Sequence, residues 1–237
     1  MRTVFAIAGL LAAAGITGST PAQLRVNKRA DLSQPVALEP GQGAIIVGFR
    51  RPDPMSTGKS GAATFARYDL AKRDLIFQPR DAKKSGDTTT YWIQVSSGDK
   101  TLSADYAVMP VSAGDYVLFG ATPGPAKQVL NTFCLGAPSF HVNAGEVVYF
   151  GDLSPYMLVK LEDGTRTSAM AYSSHPDDAR KAIAAQPALA PAFRAGELHN
   201  QSTYACVGQL MTAYIVPGAP ALEPAPPPAA EAATVAQ

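Results

Sequence analysis

"DYAVMPVSAGDYVLFGA", residues 105–121, decides how the whole chain is read. Two apolar runs, 105–111 and 115–121, flank the turn residues Ser112-Ala113-Gly114. Their Val, Tyr and Phe content suits a pleated, half-buried surface, and the glycine suits a corner. The stretch therefore reads as two consecutive β-strands.

The same punctuation continues on both sides. Upstream lie "AIIVGFR" at 44–50, "ATFARYD" at 63–69, "DLIFQ" at 74–78 and "TYWIQVS" at 90–96. Downstream come "VLNTFCL" at 129–135, "EVVYFGDL" at 146–153, and "YMLVKL" and "RTSAMAY" around Glu162-Asp163-Gly164-Thr165. Asp-Gly tolerates the positive backbone angles of a hairpin, so a tight turn is expected there. One internal echo stands out: "VSAGDYVLFG" at 111–120 and "VNAGEVVYFG" at 142–151 lie 31 residues apart. Two copies are too few for a solenoid or propeller. The echo reads as one turn-and-strand unit used twice, in two packed sheets; a chance likeness between two strand starts is the competing reading. Ala-Gly makes the corner, the acid sits at the exposed edge, and the aromatic enters the core.

After Tyr172 the pattern changes. "SSHPDDARKAIAAQPALAPAFRAGELHN" offers Ser174 as a helix cap, Pro176 in the first turn, and Asp177 and Asp178 where a helix N-terminus favours negative charge. Pro187 and Pro191 stop or kink it, which predicts a helix over about 176–185 within an excursion spanning about 176–198. A last strand, "TYACVGQLMTAYIV", is expected to cover 203–216. The predicted fold is mainly β: a single antiparallel β-sandwich of Ig-like or jelly-roll character, with a C-terminal helical insertion packed on one end before the last strand.

The ends of the chain differ from this body. "MRTVFAIAGLLAAAGITGSTPA" has Arg2, an apolar run and small residues before Ala22, the pattern of a cleaved secretory signal over 1–22. The run is shorter than the ~20 residues of a membrane span, so no transmembrane segment is expected. The Ala- and Pro-rich composition points to a bacterial periplasm or the extracellular medium. Residues 23–42 read as an N-terminal extended segment, 43–216 as the sandwich domain, and 217–237 as a disordered Pro/Ala-rich tail. Of 20 Lys+Arg and 19 Asp+Glu, loss of Arg2 with the signal leaves equal numbers. A neutral chain without a basic stripe is no candidate for nucleic-acid binding.

"STGKS" at 56–60 imitates the end of a phosphate-binding loop, but no nucleotide is expected. The position of that loop's first glycine holds Asp53, followed by Pro54, so a negative charge and a missing N–H replace the anion-binding turn. The segment after Ser60 alternates like a strand and does not open a helix. "GQGAIIVGF" at 41–49 fails as a dinucleotide fingerprint because it precedes a strand.

Catalytic and metal signals are equally thin. His141, His175 and His199 have no spacing that makes a metal site, and "HPDD" at 175–178 is accounted for by helix capping. His141, in "SFHVN", should face solvent, opposite to Phe140 and Val142. No G-x-S-x-G occurs, and Ser154 stands directly before a proline in an extended turn. Asn200-Gln201-Ser202 matches a glycosylation acceptor triplet, which has no use in most bacteria. No catalytic, cofactor or metal residue is therefore assigned.

"GAIIVGFRRP", "YAVMPVSAGDYVLFG" and "FHVNAGEVVYFGDL" together resemble small bacterial envelope proteins of uncharacterised function. That resemblance, over roughly 43–155, implies a β-sandwich domain of the frequently lipid-anchored kind. The chain departs from it by lacking the lipid-attachment cysteine after its signal, and the resemblance brings no catalytic residues.

The function expected on these grounds is that of an exported envelope protein acting in binding or assembly, without enzymatic activity, through sandwich loops and its tail. Its partner would be an envelope protein or a glycan. The alternative is a periplasmic hydrolase or carbohydrate-binding enzyme with a site at the sandwich loops. Trp92 and nearby tyrosines would then form a stacking platform. A pocket lined by His141 or His199 with a carboxylate and Ser or Tyr would favour the enzyme. The two cysteines, Cys134 and Cys206, are expected to pair, because exported chains fold in an oxidising compartment. Two buried free thiols are the competing reading.

Overall fold

The computed structural model describes residues 28–50, 61–98, 102–122, 131–160, 163–164, 166–206 and 210–223. "STGKS", the segment 1–22 read as a signal, and the end of the tail lie outside the described residues. The chain is mainly β, built as two packed sheets. In order come β1 (Gln42–Arg50), β2 (Ala62–Asp69), β3 (Asp74–Leu75), a short helix α1 (Ala82–Ser85), β4 (Trp92–Ser96), β5 (Ala104–Ser112) and β6 (Gly114–Thr122). Then follow β7 (Asn131–Thr132), β8 (Ala137–Val142), β9 (Val147–Lys160), β10 (Arg166–Ser173), helix α2 (Pro176–Ala182), a 3-10 turn at Ala190–Ala192, β11 (Phe193–Ala195), β12 (His199–Ser202) and β13 (Leu210–Met211).

One sheet has the order β10-β9-β1-β5, with β11 also beside β9. The other runs β12-β8-β6-β2-β3, with β4 beside β2 and β7 and β13 beyond β6. Most neighbours are antiparallel, but β1 runs parallel to β9, as do β11 to β9 and β13 to β7. The two strands of "DYAVMPVSAGDYVLFGA" fall in different sheets, so the chain crosses the sandwich at Ala113. The echoed unit behaves the same way: β6 lies in one sheet and β9 in the other, and both corner glycines, Gly114 and Gly145, have positive φ.

Alternation along the strands fills the space between the sheets. Ile45, Val47 and Phe49 of β1 and Val148, Phe150 and Leu153 of β9 meet Phe65, Leu118 and Phe140 of the other sheet. Phe65 and Phe150 meet edge-on with centroids 4.9 Å apart, and Phe140 and Phe150 lie 5.4 Å apart. Such contacts contribute ~0.5–1.5 kcal/mol beyond area burial.

Helix α2 does not sit at one end. It covers the outer face of the β1/β9 sheet, where Ala179, Ile183, Leu189 and Phe193 join Ala44, Ile46, Val147 and Tyr149 in a second core. The N-terminal segment packs there as well: Gln186 accepts from the Val36 N–H and donates to the Leu32 and Gln34 carbonyls. Arg29 reaches Asp105 with two N–H groups, fixing the start of this strap. The outer face of the other sheet is closed by the C-terminal return, where Tyr204 stacks on Phe119 at 5.4 Å.

That return is not the continuous strand expected at 203–216. Among its described residues only 210–211 are strand-paired, and others are held by individual contacts such as Tyr68 Oη to Thr203 O. Residues 217–223, assigned to the tail on composition, pack on the body. Ala219 and Leu222 touch the core, and Asn200 bridges to Ala221. The hairpin at Asp163-Gly164 forms, with Gly164 at φ +82 and Lys160 paired to Arg166.

Candidate functional site

The cysteine pair is a disulfide, Cys134–Cys206, with Cα atoms 5.2 Å apart. It fastens the C-terminal return to the loop after β7. His141 does face solvent from β8 while Phe140 and Val142 are buried.

The strongest polar cluster was invisible to motif reading. Phe150 and Gly151 of β9 together oppose Val47 of β1, forming a β-bulge. A regular strand alternates faces and would send Asp152 into the core between the sheets. The extra residue moves it to the outer face, beside Tyr149. Gly48 of β1 lies opposite. There, a Cβ would sit 1.9 Å from Asp152 Oδ1, so only glycine leaves room for the carboxylate.

Asp152 is fully buried, and four side chains donate to it. Arg50 Nε and His175 Nδ1 reach Oδ2 at 2.9 and 2.8 Å, and Tyr106 Oη reaches the same atom at 3.3 Å. Tyr149 Oη reaches Oδ1 at 2.6 Å while accepting from the backbone N–H of His175. Arg50 also bonds Asp178 of α2 at 3.1 Å. His175, not Ser174, is thus the N-cap residue of α2, held by backbone and ring to the sheet. Pro176, Asp177 and Asp178 occupy the first turn as expected.

The electrostatics follow the geometry. Burial pushes the Tyr106 phenol up to about 12, and burial with the bond to Asp152 raises Tyr149 further. Burial weakens the Arg50 cation, but its bonds to Asp152 and Asp178 win, and its pKa rises. The bond from Arg50 lowers Asp178. His175 Nε2 has no hydrogen-bond partner among the described residues, while Nδ1 is committed to Asp152. The arrangement orients an imidazole, but with Ser173 Oγ also on the Nδ1 side at 3.4 Å, no serine is set against Nε2. Gly48 and Gly151, two glycines inside strands, were the signal that could have marked this site.

The other two histidines meet at the sandwich loops. A cleft of about 150 Å³ is lined by His141, His199, Asp115, Glu197, Arg194 and Ser139, among others. A second, open cleft of about 470 Å³ shares Glu197 and His199 and continues past Tyr172 and Ser174 to Val216–Pro220. In the first cleft His141 and Ser139 are engaged with other partners. His141 holds Asp115 with Nδ1 at 2.7 Å and Asn143 with Nε2 at 2.9 Å. Ser139 is buried and bonded to Ser202 at 2.7 Å. Neither ring nitrogen of His141 can therefore activate the serine. Ser154 lies inside β9, and Trp92 packs edge-on against Phe119 at 4.8 Å, with the Phe77 ring 6.1 Å away. Among the described residues no group of three or more His, Cys, Asp or Glu could hold a metal, and no helix is long and apolar enough to cross a membrane.

Compared with known protein families, curated proteins and solved structures, the chain has no match.

Proposed function

We propose that this is an exported protein of the bacterial envelope that works as a binding or assembly module, with its ligand site in the groove that meets at Glu197 and His199. The carrying observation is that groove: its larger part reaches about 470 Å³, within the usual range for ligand sites, and it is built from loops and strand ends of a rigid sandwich. The Cys134–Cys206 bridge supports an oxidising compartment. Mixed charge from Arg194, Glu197 and His199 beside Tyr172 suits a polar ligand such as a glycan or an extended peptide.

The alternative, a hydrolase or carbohydrate-binding enzyme at the same loops, draws on the cleft that brings His141 and His199 together with Asp115, Glu197 and Ser139. Immobilised protein exposed to envelope extract and purified cell-wall glycan separates the two readings. Retention of a ligand that Glu197→Arg or His199→Glu abolishes supports binding. Turnover of simple ester or glycoside substrates that His199→Ala removes replaces it with the enzyme.

A further inference from the structure

Among the described residues, the C-terminal return leaves a strand edge without a partner. Residues 210–215 run beside 131–136, with Leu210 and Met211 paired to Asn131 and Thr132. The Thr212 N–H donates to Thr132 O at 2.9 Å, Leu135 N–H to Thr212 O at 3.1 Å, and Tyr214 N–H to Gly136 O at 2.7 Å. Backbone groups of an extended chain alternate sides, so Thr212 and Tyr214 turn inward and Ala213 and Ile215 outward. Among the described residues neither Ala213 nor Ile215 makes a backbone hydrogen bond. Leu135, Leu210, Met211 and Ile215 on these two segments are about half exposed or more, from 49% to 62%.

Natural edges are normally guarded by charge, above all lysine, or by a bulge. Here no Asp, Glu, Lys or Arg occurs between Thr203 and Leu222, or between Val129 and Gly145. The disulfide anchors Cys206, four residues before Leu210, to Cys134 of the neighbouring segment.

We propose that this edge is a self-association surface, on which a second copy of the chain pairs antiparallel about a two-fold axis at Ala213. Three features select a second copy over an unrelated partner. The outward groups of Ala213 and Ile215 are both donors and acceptors, so identical edges satisfy each other. An axis at Ala213 sets Met211 against Ile215 of the other copy, an aliphatic pair on each side. An uncharged edge meets its own image without like-charge repulsion, and it offers nothing to a charged peptide. Pro217, which has no N–H, stops the ladder two residues beyond Ile215 and limits the register. The inference goes beyond the groove at Glu197 and His199 and does not depend on it.

Sedimentation velocity on the oxidised chain, from low to high micromolar, tests the proposal. The wild type is expected to show a concentration-dependent monomer–dimer equilibrium. Ala213→Lys, which sets two ammonium groups against each other at the axis, is expected to remain monomeric throughout, with an unchanged circular dichroism spectrum. Ala213→Ser should still dimerise. If Ala213→Lys fails to fold, Ile215→Lys and amide exchange replace it: the Ala213 and Ile215 N–H groups should gain protection on dimerisation. A wild type that is monomeric at every concentration overturns the proposal. So does a dimer that survives in a folded Ala213→Lys, or one that leaves those two amides unprotected.

Discussion

Nδ1 of His175 lies 2.8 Å from Oδ2 of Asp152, a carboxylate with no solvent exposure. This contact joins the first residue of the helical excursion to the middle of the β1/β9 sheet. It sits where β9 changes its edge partner: β10 pairs with it up to Asp152, and β11 pairs with Val147 to Tyr149. The excursion leaves the sheet at Ser173 and returns at Phe193, and Asp152 holds the point of departure.

Asp152→Asn tests that role. The amide keeps the shape but removes the charge that offsets Arg50 and faces one N–H group towards other donors. Breaking a buried ion pair costs ~3–5 kcal/mol, and Arg50 keeps Asp178 and some solvent, so about 3 kcal/mol is expected. Urea denaturation measures it. A loss below about 0.5 kcal/mol, typical of a surface change, would show that the cluster does not hold the helix.

Gly48→Ala should act through the same carboxylate. Its Cβ would meet Asp152 Oδ1 at 1.9 Å and Tyr106 Cε1 at 2.8 Å. A destabilisation of about 2–3 kcal/mol is expected, as for other overpacked sites. In an Asp152→Ala background the main obstacle is gone, and the same substitution should cost at least ~1 kcal/mol less. Additive effects of the two changes would contradict the contact.

Reduction probes the staple. The bridge closes a separation of 72 residues, for which chain entropy gives about 4 kcal/mol. Cys134→Ser with Cys206→Ser, or reduction of the wild type, should lower Tm by several degrees. The denatured, unreduced protein should show no free thiol in a reagent titration. Two titratable thiols would mean that the bridge does not form.

Alkaline pH should weaken the fold. Burial pushes Tyr68, Tyr106 and Tyr116 each up to about 12. An unfolded phenol titrates near ~10, so between about 10 and 12 the unfolded chain has released protons that the native state retains. The stability these groups contribute is complete below about 10 and falls as pH rises towards 12. The urea midpoint followed with phenolate absorbance should decline over that window, less steeply in Tyr116→Phe. A flat midpoint, with every tyrosine ionised in a folded protein, would refute the burial argument.

Much of the architecture could be read locally. The runs at 105–111 and 115–121 became β5 and β6 because alternation, β-branched residues and a corner glycine all act within a few residues. The echo at 111–120 and 142–151 placed its two strands in opposite sheets for the same reason. The limits appeared where segments lack their own pattern. "VLNTFCL" formed only Asn131–Thr132 among its described residues, and the described parts of 203–216 became a strap held by distant partners. Residues 217–223 look like a tail in composition, yet Asn200 and the core hold them in place.

The sequence by itself therefore determined a mainly-β chain, its corners, the helix starting at Pro176, and the pairing of Cys134 with Cys206. These depend on backbone preference, alternation and redox chemistry, all set by near neighbours or by compartment. Only the tertiary structure decided the site around Asp152. Its ligating side chains come from Arg50, Tyr106, Tyr149 and His175, and no spacing rule connects them. The face that Asp152 occupies was set by one unpaired residue, Phe150. A bulge reverses the alternation of everything after it, and it arises from pairing with a strand about a hundred residues earlier.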